Sequence, residues 1–159
     1  MTLSRIILAA TLVAFVSSPA LAIEVKKQAT VAATPTAAWG AIGDFCGIGD
    51  WHPVVAKCEL SRHGGATLRT LSLKGGGTIV EKLVKWNDAR HSYTYQIVDS
   101  PLPVAHYRST ISVAKGAKGT TISWIGSFDA KGAPDDKARE VIEGVYTSGL
   151  DSLVKKLGQ

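Results

Sequence analysis

The sequence predicts an α+β domain in which a seven-stranded antiparallel sheet grips one long C-terminal helix around a pocket. Three observations predict it. Regularly spaced turn signals cut the middle of the chain into short segments. Some of those segments alternate apolar and polar residues with a period of two, as half-covered strands do. After Pro134 the apolar residues instead recur at three- and four-residue steps, the period of a helix.

The chain opens on Met1-Thr2-Leu3-Ser4-Arg5, then an apolar run from Ile6 to Val16, then Ala20-Leu21-Ala22. One positive charge, a short apolar run and an A-x-A site are the parts of a cleavable signal peptide. A run of about 11 residues is too short for a bilayer, which needs about 20. Residues 1–22 are therefore expected to be removed on export to the periplasm, leaving residues 23–159 as one domain without stable membrane insertion. The 159 residues carry 18 basic and 13 acidic side chains. Loss of Arg5 leaves a net charge of +4 that is spread along the chain. Lys26-Lys27 and Lys155-Lys156 are isolated pairs, so no basic stripe of the kind that binds nucleic acid is present.

Strand 1 is expected over residues 23–32. Thr34 before Pro35 is a helix start, with a hydroxyl cap and proline at the first helical position. That helix runs to about Phe45, where Gly47 and Gly49 break it, and Trp51-His52-Pro53 leads into the next strand. Turns at Gly64-Gly65, Gly75-Gly76-Gly77, Asn87-Asp88-Ala89, Pro101-Leu102-Pro103 and Gly116-Ala117-Lys118-Gly119 then separate six strands. In the fifth strand His91, Tyr93, Tyr95 and Ile97 share one face. In the seventh, Ile122, Trp124 and Phe128 oppose Thr121, Ser123 and Ser127. The last helix opens at Pro134 and Asp135-Asp136 and closes at Gly158, about 24 residues or 36 Å long. Its continuous apolar stripe must lie on the covered face of the sheet.

This order resembles the START/Bet v 1-like (SRPBCC) superfamily, as do the stretch from Asp44 to Pro53 and Pro101-Leu102-Pro103-Val104 before Tyr107. Within that group the chain is similar to the bacterial polyketide cyclase/dehydrase and lipid-transport family. The resemblance covers nearly the whole mature chain. It implies the helix-grip fold in the order β-α-α-β6-α, with a curved sheet and the C-terminal helix enclosing an apolar cavity. It also brings in, as relatives in the broad group, periplasmic accessory proteins of methanol oxidation and lachrymatory-factor synthase. The expected partner is a small hydrophobic or amphipathic molecule, with a protein partner as a further reading. No cofactor motif is present.

Centring each hairpin on its turn puts Arg69 opposite Glu81 or one diagonal step from it, and aligns Glu81 with Tyr95, Tyr95 with Tyr107, and Tyr107 with Phe128, one row across five strands. The parity of the fourth strand is ambiguous: Ile79, Glu81 and Leu83 point one way, Val80, Val84 and Trp86 the other. A one-residue slip would put Glu81 in water. The resemblance favours the first choice. In lachrymatory-factor synthase the catalytic Arg, Glu and two Tyr stand in the contexts held here by Arg69, Glu81, Tyr95 and Tyr107, although the segment from Arg69 to Glu81 is shorter in this chain.

Three roles fit the row. It is a paired bridge inside the core; or it orients a bound ligand, with Arg69 fixing a carboxylate or oxyanion; or Arg69 and Glu81 are the catalytic pair of a cyclase, dehydratase or isomerase. The residues expected around a ligand are Trp51, His52, Tyr95, Tyr107, Trp124, Phe128, Tyr146 and Gly149. The four histidines stand far apart, and no metal site is expected. Export permits a disulfide between Cys46 and Cys58, and a domain with its own core does not require one.

Overall fold

A computed structural model describes residues 22–158; the expected signal peptide lies almost wholly outside them. The elements run β1 (Ile23–Val31), α1 (Pro35–Ile42), α2 (Ile48–Trp51), β2 (Val55–His63), β3 (Ala66–Leu73), β4 (Thr78–Asn87), β5 (Ser92–Asp99), β6 (Val104–Gly116), β7 (Gly119–Ala130) and α3 (Asp135–Leu157). The seven strands form one antiparallel sheet in the order β1-β7-β6-β5-β4-β3-β2. β2 through β7 are thus a meander, and β1 joins it at the far side against β7. The fold class and element order are those the sequence predicts. Among the described residues no helix is long and apolar enough to cross a membrane.

The local signals act where expected. Thr34 Oγ1 accepts from the Ala37 amide at 3.2 Å, and Pro35 occupies the first turn of α1. That helix ends at Ile42, three residues early, because Gly43 (φ 74°) turns the chain while its amide bonds to the Trp39 carbonyl. Cys46 and Cys58 form a disulfide that ties the α1–α2 segment to β2. α3 carries Asp135 and Asp136 in its first turn and Lys155 and Lys156 in its last, charges that suit the two ends of the helix dipole. It buries Ala138, Ile142, Tyr146, Gly149, Leu150 and Leu153.

Two registers are as expected and two are not. Arg69 pairs with Glu81 across the β3–β4 hairpin. Arg108 pairs with Ser127, which leaves Tyr107 beside Phe128, with ring centroids 6.0 Å apart. Glu81, however, pairs with Ile97 rather than Tyr95, and Tyr95 pairs with Ser109 rather than Tyr107. The β4–β5 connection is longer than a plain turn. It contains a 3₁₀ turn over Asp88–Arg90, followed by His91 in the left-handed region (φ 44°). His91 therefore caps this turn and is not part of β5.

The ambiguous parity of β4 has a physical resolution. The register shifts between Leu83 and Lys85, leaving Val84 as an exposed bulge. Ile79, Glu81 and Leu83 point inward below the bulge, and Trp86 turns inward above it to stack on Tyr93 at 5.2 Å. Without the bulge Glu81 would fall on the outer face. Both displaced registers move by two residues, so every member of the expected row keeps its face.

Candidate functional site

Arg69, Glu81, Tyr95, Tyr107 and Phe128 all lie on the inner face of the sheet and are buried. Arg69 is fully buried. Its Nε donates to Glu81 Oε2 and its Nη1 to the Phe45 carbonyl, both at 2.5 Å. Its guanidinium carbon sits 4.2 Å from the Phe45 ring centre and 4.9 Å from that of Tyr95. Aromatic faces thus supply part of the environment that water would otherwise give the cation. Nη2 has no hydrogen-bond partner. Burial pushes the Glu81 carboxyl above its usual range, against the pull of Arg69.

Beside this pair lies an apolar cavity of about 80 Å³ between the sheet and α3. Leu71, Ile79, Ile142 and Val145 form much of its wall, and Val54 and Leu102, on partly exposed loops, form its rim. Of the residues expected around a ligand, His52, Tyr95, Tyr107 and Trp124 line this space, together with Glu81. Arg69, Trp51, Phe128, Tyr146 and Gly149 do not. Arg69 is shut behind Glu81 and the aromatic rings, so it has no open face with which to fix a ligand carboxylate. Trp51 is held by its indole donating to the Ile42 carbonyl at 3.1 Å. At Gly149 the space left by the missing side chain is filled by protein: a Cβ there would come 2.7 Å from His52 Cδ2 and 2.8 Å from Trp124.

The hydroxyls form a chain whose direction can be read end to end. Ser109 Oγ lies 2.8 Å from the Ile125 carbonyl, to which it must donate. Tyr146 OH, 2.9 Å from Ser109 Oγ, therefore donates to it, and Tyr107 OH, 2.5 Å from Tyr146 OH, donates in turn. Tyr95 OH points its proton along the longer 3.4 Å contact to Tyr107 and accepts from Trp124 Nε1 at 3.0 Å. Burial raises the pKa of Tyr95 and of Tyr107 well above ordinary and pushes that of Tyr146 up to about 12, so all three stay neutral. His52 is buried, and its Nε2 lies 3.1 Å from the Val145 carbonyl, which fixes the proton on Nε2. Burial lowers its pKa. Nδ1 is then a bare lone pair, and it has no partner.

Ser109 and Gly126 complete this network and were not anticipated. Both break an inward apolar series: Ser109 between Tyr107 and Ile111, Gly126 between Trp124 and Phe128. A glycine at such a position marks close approach by another group, here the Tyr146 hydroxyl. Among the described residues no three His, Cys, Asp or Glu side chains come together as metal ligands.

A larger open groove of about 550 Å³ lies where β5 and β6 part beyond the Gln96–Arg108 pair. Its walls are mainly polar, with His106, Arg108 and Lys131 against Asp99. It shares Ile97 and Tyr107 with the inner cavity.

Comparison with known proteins agrees with this architecture. The profile of the family described as polyketide cyclase/dehydrase and lipid transport matches residues 22–158. The solved structure of the protein XoxI from Bacillus cereus is 32% identical, with a TM-score of 0.79, over 84% of this chain and 94% of that one. An uncharacterized protein of Bacillus thuringiensis is 31% identical with a TM-score of 0.79, over 85% of this chain and 98% of its own. The Zhui aromatase/cyclase from Streptomyces sp. R1128 shares the fold, with a TM-score of 0.69 at 21% identity over 86% of this chain and 94% of that one. No protein of curated function matches.

Proposed function

Since the chain belongs to the polyketide cyclase/dehydrase and lipid-transport family, we propose that it is an exported protein that holds a small apolar or amphipathic molecule between its sheet and α3. The observation that carries this reading is the apolar cavity with a carboxylate, a neutral imidazole and two phenols on its wall. A few placed polar groups in an otherwise apolar space are what orient a ligand. At about 80 Å³ the cavity equals roughly two to three water volumes of ~30 Å³ each. As folded, it takes a ligand of only a few heavy atoms. A larger one requires Val54 and Leu102 to swing outward, which their loop positions permit.

Export rests on the A-x-A site at Ala20-Leu21-Ala22 and on a family match that begins at residue 22. A disulfide between Cys46 and Cys58 suits an oxidising compartment. The intact mass of the protein recovered from the periplasm tests this: a chain beginning at Ile23 is expected, and an uncleaved chain overturns it. Native mass spectrometry of the same material tests binding. A retained small molecule supports the proposal. A protein that is empty and takes up no small apolar compound overturns it.

One observation favours a second reading. Glu81 lines the cavity with a carboxyl pushed up by burial, which suits a group that transfers protons. Turnover of a bound compound that vanishes in Glu81→Gln while binding persists would establish it; binding without turnover rejects it.

A further inference from the structure

We propose that the inner cavity selects a neutral hydrogen-bond donor, a hydroxyl carried on a small apolar body, and discriminates against carboxylates and acceptor-only molecules. The inference rests on the binding reading above and specifies the chemistry of its ligand.

Most donors around the cavity are already engaged, the Tyr95 hydroxyl by the longest contact, 3.4 Å to Tyr107. Trp124 Nε1 gives its proton to Tyr95, and the hydroxyls of Tyr95, Tyr107, Tyr146 and Ser109 pass theirs one way to the Ile125 carbonyl. His52 Nε2 gives its proton to the Val145 carbonyl. Arg69 retains a free N–H at Nη2, but that atom is buried behind the cavity wall rather than on it.

What remains beside the cavity is mainly acceptor. His52 lines the cavity, and its buried Nδ1 has no donor. Glu81 Oε2 is bonded to Arg69, while Oε1 makes no hydrogen bond among the described residues. The phenol oxygens keep spare lone pairs. A ligand hydroxyl relieves this surplus of acceptors. A ketone adds another acceptor, and its oxygen loses its own hydrogen bonds to water without replacement, a penalty that sites of this kind convert into strong discrimination. A carboxylate adds a second negative charge beside Glu81, whose own charge Arg69 already balances. An ammonium would leave the Arg69–Glu81 site with a net positive charge in an apolar space.

Three four-carbon probes of similar size test the inference: 1-butanol, butanone and butyrate, titrated into the protein by NMR. At least tenfold tighter binding of 1-butanol than of either other probe is expected. The His52 Nδ1 nitrogen resonance should move upfield as its lone pair accepts the hydroxyl, and His52→Phe should abolish the preference. The Nδ1 shift is read on the unaltered protein, so it stands even if the variant fails to fold. Equal binding of 1-butanol and butanone, or 1-butanol binding with Nδ1 unmoved, overturns the donor preference and leaves the binding reading intact. No saturable response to any of the three overturns both.

Discussion

Gly126 and Tyr146 are a fitted pair: the absence of a side chain on β7 is what lets the Tyr146 hydroxyl from α3 reach the sheet. The ring of Tyr146 stacks on Trp124 at 4.5 Å, and its hydroxyl joins Ser109 and Tyr107. This contact fixes how closely α3 approaches β7 at that point.

Gly126→Ala should therefore destabilise the protein by about 1–3 kcal/mol through overpacking. Adding Tyr146→Phe removes the atom that the new methyl meets. The double variant should be more stable in urea denaturation than the sum of the single effects predicts.

Glu81→Ala leaves Arg69 charged and unpaired in the core, and should cost about 3–5 kcal/mol. Replacing both groups with apolar ones, Arg69→Met with Glu81→Leu, removes the need for compensation and should cost less than Glu81→Ala alone. Denaturation midpoints of the three proteins check this. A double variant no better than the single would mean that the pair is worth more than its mutual neutralisation.

His52 gives the stability a pH dependence. Burial lowers its folded-state pKa, against the Val145 hydrogen bond. As pH falls, the unfolded chain takes up the proton first, near its ordinary value of about 6.5. The contribution of neutral His52 is therefore full above about pH 6.5 and declines below it. Between pH 7.5 and 5.5, His52→Phe should lose less stability than the unaltered protein; parallel losses would contradict this.

The disulfide closes a short loop, with its cysteines twelve residues apart. Loop-closure entropy for a loop of this length is worth about 3 kcal/mol. Cys46→Ser should lower stability by about that amount, and reduction of the unaltered protein should reproduce the loss.

Much of this was legible in the residues, and what was not has a common cause. The glycine turns at Gly75-Gly76-Gly77 and between Gly116 and Gly119 are tight, so centring on them placed Arg69 against Glu81 and Tyr107 beside Phe128. Asn87-Asp88-Ala89 looks equally tight, yet its 3₁₀ turn and the left-handed His91 lengthen the link. The bulge at Val84 restores the parity that this would have cost. No local signal marks Val84, because a bulge is decided by the packing of Glu81 and Trp86 on opposite sides of it. The seclusion of Arg69 was hidden for the same reason. Parity placed it on the inner face, but only the packed Phe45 and Tyr95 rings show that it sits behind the cavity rather than on it. The direction of the tyrosine chain likewise depends on one serine meeting one carbonyl.

The most direct test of the central claim is a methyl NMR titration with 1-butanol, following the cavity residues Leu71, Ile79, Ile142 and Val145 together with Val98 and Ala105 of the outer groove. Saturable shifts confined to the first four are the predicted result. Shifts at Val98 and Ala105 alone would contradict a ligand site between the sheet and α3, as would no saturation at any of the six with 1-butanol, butanone or butyrate.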